Sequence, residues 1–79
     1  MSFMCPVCGY RNLLEQPYEG TCGSFEICPS CGTEFGYDDA TKSHDQLRRR
    51  WISDGCRWWS TDEAPPAGWD PRIQLSNLR

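Results

Sequence analysis

Two short cysteine motifs constrain the fold of this chain more than any other feature. Cys5-Pro-Val-Cys8-Gly9 near the start recurs as Cys28-Pro-Ser-Cys31-Gly32, and we call these motifs the first and the second knuckle. Two Cys-x-x-Cys pairs separated by a segment of this length can supply four thiolates to one tetrahedral metal ion. The spacing therefore predicts a zinc site with the ligands Cys5, Cys8, Cys28 and Cys31.

Both knuckles also contain the residues that a tight turn around a metal ion needs. Pro6 and Pro29 fix φ within each pair of cysteines, and Gly9 and Gly32 can adopt a positive φ just after the second cysteine. We therefore expect two turns of the same kind, each of which directs backbone N–H groups at sulfur.

The length of the chain makes a structural metal ion valuable to the fold. A hydrophobic core in a protein of 79 residues contributes only about 3–5 kcal/mol. A structural zinc ion binds small finger peptides with about 10–16 kcal/mol, which becomes available to folding. We expect one domain over residues 1–79, with a zinc ribbon in 1–40 and a helix plus a Trp- and Pro-rich cap in 41–79.

Four thiolates would complete the coordination shell of a zinc ion. A closed site has no open position for water or substrate, so catalysis at the metal is not expected. The chain also carries no paired carboxylates, phosphate loop or nucleophile motif, and we predict no catalytic residue and no small-molecule substrate.

Iron suits the same four sulfurs, and the knuckles resemble the two metal loops of rubredoxins. A rubredoxin-like iron electron carrier is therefore the first alternative.

The segments beside the knuckles have the residue pattern of short strands. We expect strands at about residues 9–14, 24–27 and 33–37, which would form an antiparallel ribbon around the metal. The intervening residues 15–23 contain Pro and Gly, and we expect them to form a loop.

A helix is predicted at residues 43–54. Ser43 and Gln46 fit a capping box at its start, and Gly55 suits its end. The apolar stripe that would cover the ribbon consists of Leu47, Trp51 and Ile52.

The segment after this helix has too many Pro and Gly residues for long regular elements, but its Trp, Ile and Leu residues indicate packing. A turn at Trp69-Asp70-Pro71 leads into a short helical or strand segment that ends at Leu78. The predicted fold class is a small, metal-stapled α+β domain, an antiparallel zinc ribbon covered by one helix and a Trp-rich C-terminal wrap.

Charge is distributed unevenly along the chain. The formal net charge is −3, made up of −5 in residues 1–40 and +2 in residues 41–79. Four thiolates and one zinc ion would make the folded protein more acidic, which disfavours general nucleic-acid binding. Arg48-Arg49-Arg50, together with Arg57 and Lys42, could form a basic patch. The three consecutive arginines point in different directions on a helix, however, and Arg49 can pair with Asp45. A nucleic-acid-binding zinc ribbon is the second alternative.

Tryptophan is unusually abundant, with four residues in the chain. Each can bury about 150–250 Å², so we expect most of them in the core. Trp58 and Trp59 are adjacent, which should leave one indole free for a partner protein or a second copy of the chain. The predicted partner surface consists of Trp58, Trp59, Arg49 and Arg57.

Two cysteines and the single histidine lie outside these patterns. Cys22 and Cys56 belong to no Cys-x-x-Cys pair, and we expect both to be reduced, partly buried accessory residues. Ligand exchange with a knuckle cysteine, or a redox disulfide between the two, is the alternative. His44 is expected in the first turn of the helix, without a ligand or general-base role.

The start of the chain and its hydropathy indicate a compartment. Met1-Ser-Phe-Met-Cys5 lacks the basic head and apolar stretch of a signal peptide. No apolar run approaches the roughly 20 residues of a membrane span. We therefore expect a cytoplasmic protein without membrane contact, in which the cysteines stay reduced.

With these residues assembled, the chain resembles a family of small uncharacterised bacterial cysteine-rich proteins of the Cys-Pro-x-Cys-Gly zinc-ribbon type. The matching stretches are Cys5 to Tyr10, Phe25 to Gly32, Phe35 to Asp39, Trp51-Ile52, Trp58-Trp59-Ser60, Pro65-Pro66, Trp69-Asp70-Pro71 and Gln74-Leu75. The resemblance implies a stand-alone ribbon with a Trp-rich cap that binds metal through the four knuckle cysteines, and it implies no activity. The sequence as a whole predicts a non-enzymatic zinc-binding domain that acts as a protein-interaction module.

Overall fold

A computed structural model describes residues 2–78 of the chain. The elements are two short strands, β1 (Tyr18–Glu19) and β2 (Cys22–Gly23), followed by two helices, α1 (His44–Ser53) and α2 (Pro71–Ser76). The strands pair antiparallel, with Tyr18 opposite Gly23. This arrangement confirms a small α+β fold.

The strands do not lie where the sequence predicted them. The expected strands at 9–14, 24–27 and 33–37 are reduced to isolated antiparallel bridges, Phe3 to Leu13 and Ile27 to Glu34. The regular hairpin lies instead within 15–23, the expected loop, because Gly20 adopts the left-handed conformation (φ 64°) that a two-residue hairpin turn favours.

Helix α1 forms as predicted, to within one residue at each end. Ser43 and Gln46 make both hydrogen bonds of the capping box, and Gly55 adopts a φ of 97° just beyond the helix. The apolar stripe is narrower than expected, because Trp51 is buried while Ile52 is 47% exposed. Ile52 lies one residue, about 100°, from Trp51 around the helix axis, and therefore points away from the face that packs.

An arginine attaches helix α1 to the first knuckle. Arg48 donates from Nε to the carbonyl oxygen of Val7 and from Nη2 to that of Pro6, both at 2.7 Å. Arg49, one position along, pairs with Asp45 at 3.0 Å, as its spacing predicted. The possible basic patch is therefore divided, since the Arg48 guanidinium binds backbone carbonyls of the protein.

Helix α2 attaches the C-terminal segment to both knuckles through one buried side chain. Gln74 donates from Nε2 to the carbonyl oxygen of Cys8 at 3.2 Å and to Oγ of Ser30 at 2.9 Å. Its Oε1 accepts a hydrogen bond from the indole of Trp69 at 2.8 Å. A Cβ on Gly9 would collide with the backbone carbonyl of Gln74, so glycine is required there for this close approach.

The core is built around the cysteine motifs. Its fully buried apolar side chains include Val7, Leu13 and Phe35, and Trp51 covers them from helix α1. Among residues 2–78 the longer helix has ten residues, and neither helix has the length and apolar character to cross a bilayer.

We predict that Gln74→Ala lowers the free energy of unfolding of the metal-loaded protein by about 2–4 kcal/mol, because two buried polar groups and the partly buried Trp69 indole lose their hydrogen bonds. Denaturant unfolding monitored by circular dichroism measures the change. The same substitution at exposed Gln16 is the matched control and should have an effect below about 0.5 kcal/mol. Equal effects of the two variants would contradict a bridging role for Gln74.

Candidate metal centre

The fold brings the four knuckle cysteines into one cluster. The Sγ atoms of Cys5, Cys8, Cys28 and Cys31 lie within 4.8 Å of one another. The distance is 3.8 Å from Cys5 to Cys31 and 3.7 Å from Cys8 to Cys28. Thiolates bound tetrahedrally at about 2.3 Å from an ion lie about 3.8 Å apart, whereas a disulfide bond is about 2.05 Å long. The cluster could therefore hold one metal ion.

The two knuckles have the same backbone conformation. The N–H of Gly9 donates to the carbonyl of Cys5 at 3.0 Å, and the N–H of Gly32 donates to that of Cys28 at 2.8 Å. Both glycines have a positive φ, 85° and 80°. In the first knuckle the N–H of Val7 also points at the sulfur of Cys5, at 3.4 Å. The repeated sequence motif therefore forms the same turn twice in the structure.

The pKa shifts of Cys28 and Cys31 favour binding of a cation by the cluster. Hydrogen bonding to Cys31, together with burial, raises the pKa of Cys28 above its ordinary value. Hydrogen bonds from Cys28 and Cys5 lower the pKa of Cys31. Hydrogen bonding and burial thus oppose a negative charge on Cys28, hydrogen bonding favours one on Cys31, and a divalent cation would offset the cost of ionising Cys28.

The four cysteines of the cluster differ in their access to solvent. Cys5, Cys8 and Cys28 are fully buried, whereas Cys31 is partly exposed. Oγ1 of Thr33 lies within hydrogen-bond distance, 3.3 Å, of the sulfur of Cys31. Four sulfurs fill a tetrahedral shell, so the arrangement suits a structural ion better than a catalytic one.

The adjacent indoles of the predicted partner surface differ in exposure and in contacts. Trp58 is partly buried and packs edge-on against Tyr10 and Trp69, with ring centroids 5.6 and 5.3 Å away. Trp59 is 55% exposed, and its ring lies directly over Gly32 of the second knuckle. Trp58 therefore contributes to packing, and Trp59 contributes to the surface.

The backbone beside Trp59 is fixed to the second knuckle. The N–H of Trp59 donates to the carbonyl of Ser30 at 3.1 Å, and the N–H of Ser60 donates to that of Pro29 at 2.9 Å. The position of the exposed indole is thus set by the backbone that carries two of the four cysteines.

The hydrogen bonds of the indoles distinguish Trp59 further. Trp51, Trp58 and Trp69 donate from Nε1 to the carbonyl of Arg57, the carbonyl of Glu63 and Oε1 of Gln74, respectively. Within residues 2–78, no acceptor for the indole N–H of Trp59 is found. An exposed ring with a spare donor is a typical feature of an interface residue.

The two predicted arginines do not line the groove that Trp59 shares with helix α1. Arg49 and Arg57 are both exposed, and Arg49 is held by its ion pair with Asp45. The groove between helix α1 and the second knuckle, about 290 Å³ in volume, is lined by Lys42 and Arg50 in addition to Trp59. The sequence analysis grouped both cations with Arg48 and Arg49 in a possible basic patch, and the structure places them in this groove.

The remaining cysteines and the histidine lie outside the cluster. Cys22 is exposed in strand β2, contrary to the expected partial burial, because the hairpin places it at the surface. Cys56 is partly buried as expected, and desolvation raises the pKa of its thiol. Both are free thiols.

His44 begins helix α1 and binds a buried carboxylate. Its Nε2 lies 2.8 Å from Oδ2 of Asp39, whose side chain is 2% exposed. Although burial opposes ionisation, hydrogen bonds from Tyr18 and His44 keep the pKa of Asp39 below its ordinary value. This contact fixes the start of the helix next to the ribbon.

Two curated proteins of Bacillus subtilis (strain 168) are similar to this chain, and both are described as uncharacterized. YoaQ is 46% identical over 39 residues, which cover 47% of this chain and 33% of YoaQ. YozI is 29% identical over 87 aligned positions, which cover 80% of this chain and 67% of YozI. The chain thus matches only about a third of the length of YoaQ. No protein-family model matches the chain, and no solved structure matches it.

We predict that Cys28→Ser removes stoichiometric metal from the purified protein, because a buried hydroxyl cannot replace a thiolate in the cluster. The loss of affinity should exceed the roughly 10–100-fold typical of outer-shell changes at metal sites. Elemental analysis and thermal unfolding measure the effect. Cys22→Ser, the same substitution at an exposed thiol, should retain the metal and the melting temperature; metal retention in both variants would contradict the assignment of the site.

Proposed function

We propose that this protein is a non-enzymatic zinc-binding domain that acts as a protein-interaction module. The observation that carries the proposal is an exposed indole, Trp59, lying directly on the second knuckle of a four-cysteine cluster. The metal ion stabilises the ribbon, and the ribbon presents the indole.

Zinc is the ion that best suits this role. It has no redox chemistry and no geometric preference of its own, and closed four-thiolate sites of this kind are typical of structural zinc. In so short a chain, the binding energy of the metal becomes folding energy. The free cysteines suit a reducing compartment such as the cytoplasm.

The cluster itself supports a non-catalytic role. Three of its four cysteines are fully buried, and the four sulfurs together fill a tetrahedral shell. A reaction at the ion would require one sulfur to leave, which would also remove the tie between the two knuckles. We therefore assign the metal to architecture and the function to the surface.

A protein partner is favoured over nucleic acid by the placement of the basic residues. Arg48 is used to attach helix α1 to the first knuckle, and Arg49 is paired with Asp45. The net charge of the chain is −3, and a four-thiolate zinc site would add −2. Phosphate backbones bind to clusters of free cations, and these two arginines do not provide one.

The partial exposure of Cys31 favours one alternative function, iron-based electron transfer. An iron ion in the same cluster would have one sulfur near the surface, through which an electron could pass to a partner. This candidate is distinguished from the zinc protein by its red colour and reversible reduction.

We predict that the protein purified without added metal is colourless and contains one zinc ion per chain. Chelator treatment should abolish cooperative thermal unfolding, because the core alone contributes only a few kcal/mol. Elemental analysis and circular dichroism measure both effects. A red protein that contains iron would support the electron carrier, and a compact fold after metal removal would contradict the structural role of the ion.

We predict that Trp59→Ala reduces partner capture by the metal-loaded protein without loss of zinc. Affinity capture followed by quantitative mass spectrometry should recover proteins with the native chain and lose them with the variant. Ile73→Ala, at an apolar side chain of helix α2 that is 68% exposed, is the control and should leave capture unchanged. Equal recovery with Trp59→Ala and the native chain would remove the basis of the proposed interaction role.

A further inference from the structure

We propose that a second groove beside Trp59 binds an extended segment of a partner protein in which an apolar side chain is flanked by Lys or Arg. This inference rests on the proposed interaction function and specifies the partner. We call this site the acidic groove. Its apolar residues are Leu14, Ile27, Pro29 and Trp59, and its rim carries Asp62 and Glu63.

The apolar side chains of the acidic groove are exposed to solvent, and a bound partner would bury them. Leu14 is 83% exposed, Ile27 is 42% exposed and Trp59 is 55% exposed, although all three line one groove of about 340 Å³. Such a volume is at the lower end for ligand pockets and accommodates one or two side chains. Contiguous exposed apolar residues with a polar rim indicate a binding site.

Hydrogen bonds hold Leu14 at this exposed position. The carboxylate of Glu26, which also lines the groove, accepts from the N–H of Leu14 at 2.9 Å and from that of Glu15 at 3.0 Å. The apolar wall is therefore ordered before a partner arrives, which reduces the entropy cost of binding.

The charge of the acidic groove specifies a basic partner. The groove is lined by the carboxylates of Glu26, Asp62 and Glu63 and by no Lys, Arg or His. None of these three acids takes part in an ion pair within residues 2–78. Charge complementarity therefore favours a segment with Lys or Arg beside its apolar anchor.

The acidic rim is held in place by the turn that follows Trp59. Oγ of Ser60 accepts from the N–H of Asp62 at 3.2 Å and from that of Glu63 at 3.0 Å. The hydroxyl of Tyr10 donates to Oε2 of Glu63 at 3.2 Å. The carboxylates are thus fixed beside the apolar surface.

The backbone at Ile27 favours a partner in an extended conformation. Ile27 faces Glu34 in an antiparallel bridge that is flanked by hydrogen bonds from Cys28 to Thr33 and from Phe35 to Glu26. In this register the N–H and C=O of Ile27 point away from the Glu34 strand. An extended segment in the acidic groove could hydrogen-bond there, as in strand addition, and the spare indole N–H of Trp59 offers a further donor.

The test is selection of binders from a random peptide library on the immobilised, metal-loaded chain. We expect enriched peptides in which an apolar residue is flanked by Lys or Arg. Synthetic forms of these peptides should bind Trp59→Ala about 30-fold more weakly, the effect of removing an interface hot spot. Isothermal titration calorimetry measures the affinities, and Ile73→Ala on helix α2 should bind like the native chain.

A charge-neutralised double variant, Asp62→Asn with Glu63→Gln, keeps the shape of the rim and the acceptor for Tyr10. It should bind the same peptides roughly fivefold more weakly and show less dependence on salt. This variant tests the proposal even if Trp59→Ala fails to fold.

Three results would overturn the acidic groove as a site for basic segments. Enrichment of acidic peptides that still require Trp59 would refute this inference while the interaction function stands. Concentration-dependent dimers lost on Trp59→Ala would identify a second copy of the chain as the occupant. Absence of any Trp59-dependent binder would count against both the inference and the proposed function.

Discussion

Convergence of four cysteine sulfurs on one point is the constraint on which the rest of this structure depends. The sulfurs lie 3.7 and 3.8 Å apart in two of their pairs, a spacing that suits four thiolates around one tetrahedral ion. Without an ion, hydrogen bonding to Cys31 and burial oppose the ionisation of Cys28. Because strands β1 and β2 have only two residues each, regular sheet structure contributes little, and the cluster organises the ribbon.

The second half of the chain is folded around this cluster by contacts to the backbone of the knuckles. Arg48 binds carbonyls of the first knuckle, Gln74 joins both knuckles, and the backbone at Trp59 follows the second. Each contact satisfies a carbonyl or hydroxyl that the tight turns cannot satisfy internally. The positions of helices α1 and α2 therefore depend on the arrangement of the two knuckles.

The chemistry of the surface beside the second knuckle depends on the adjacent residues Trp58 and Trp59. Trp58 enters the aromatic group with Tyr10 and Trp69, and Trp59 is left on the outside over Gly32. On one side of Trp59 the groove is lined by the cations Lys42 and Arg50 and by the acids Asp38 and Asp54. On the other side the lining includes Asp62 and Glu63. A single aromatic side chain therefore separates a groove of mixed charge from an acidic one.

The sequence alone determined the local features whose cause lies within a few residues. These are the two knuckle turns, the capping box and length of helix α1, the ion pair from Arg49 to Asp45 and the grouping of the four cysteines, since each follows from spacing and backbone preference. Only the tertiary structure decided the strand positions, the inward direction of Arg48 and of Trp58, the bridge made by Gln74 and the exposure of Ile52 and Cys22. These depend on which segments approach one another across the cluster, and long-range packing of this kind overrides the weak β propensity of short segments.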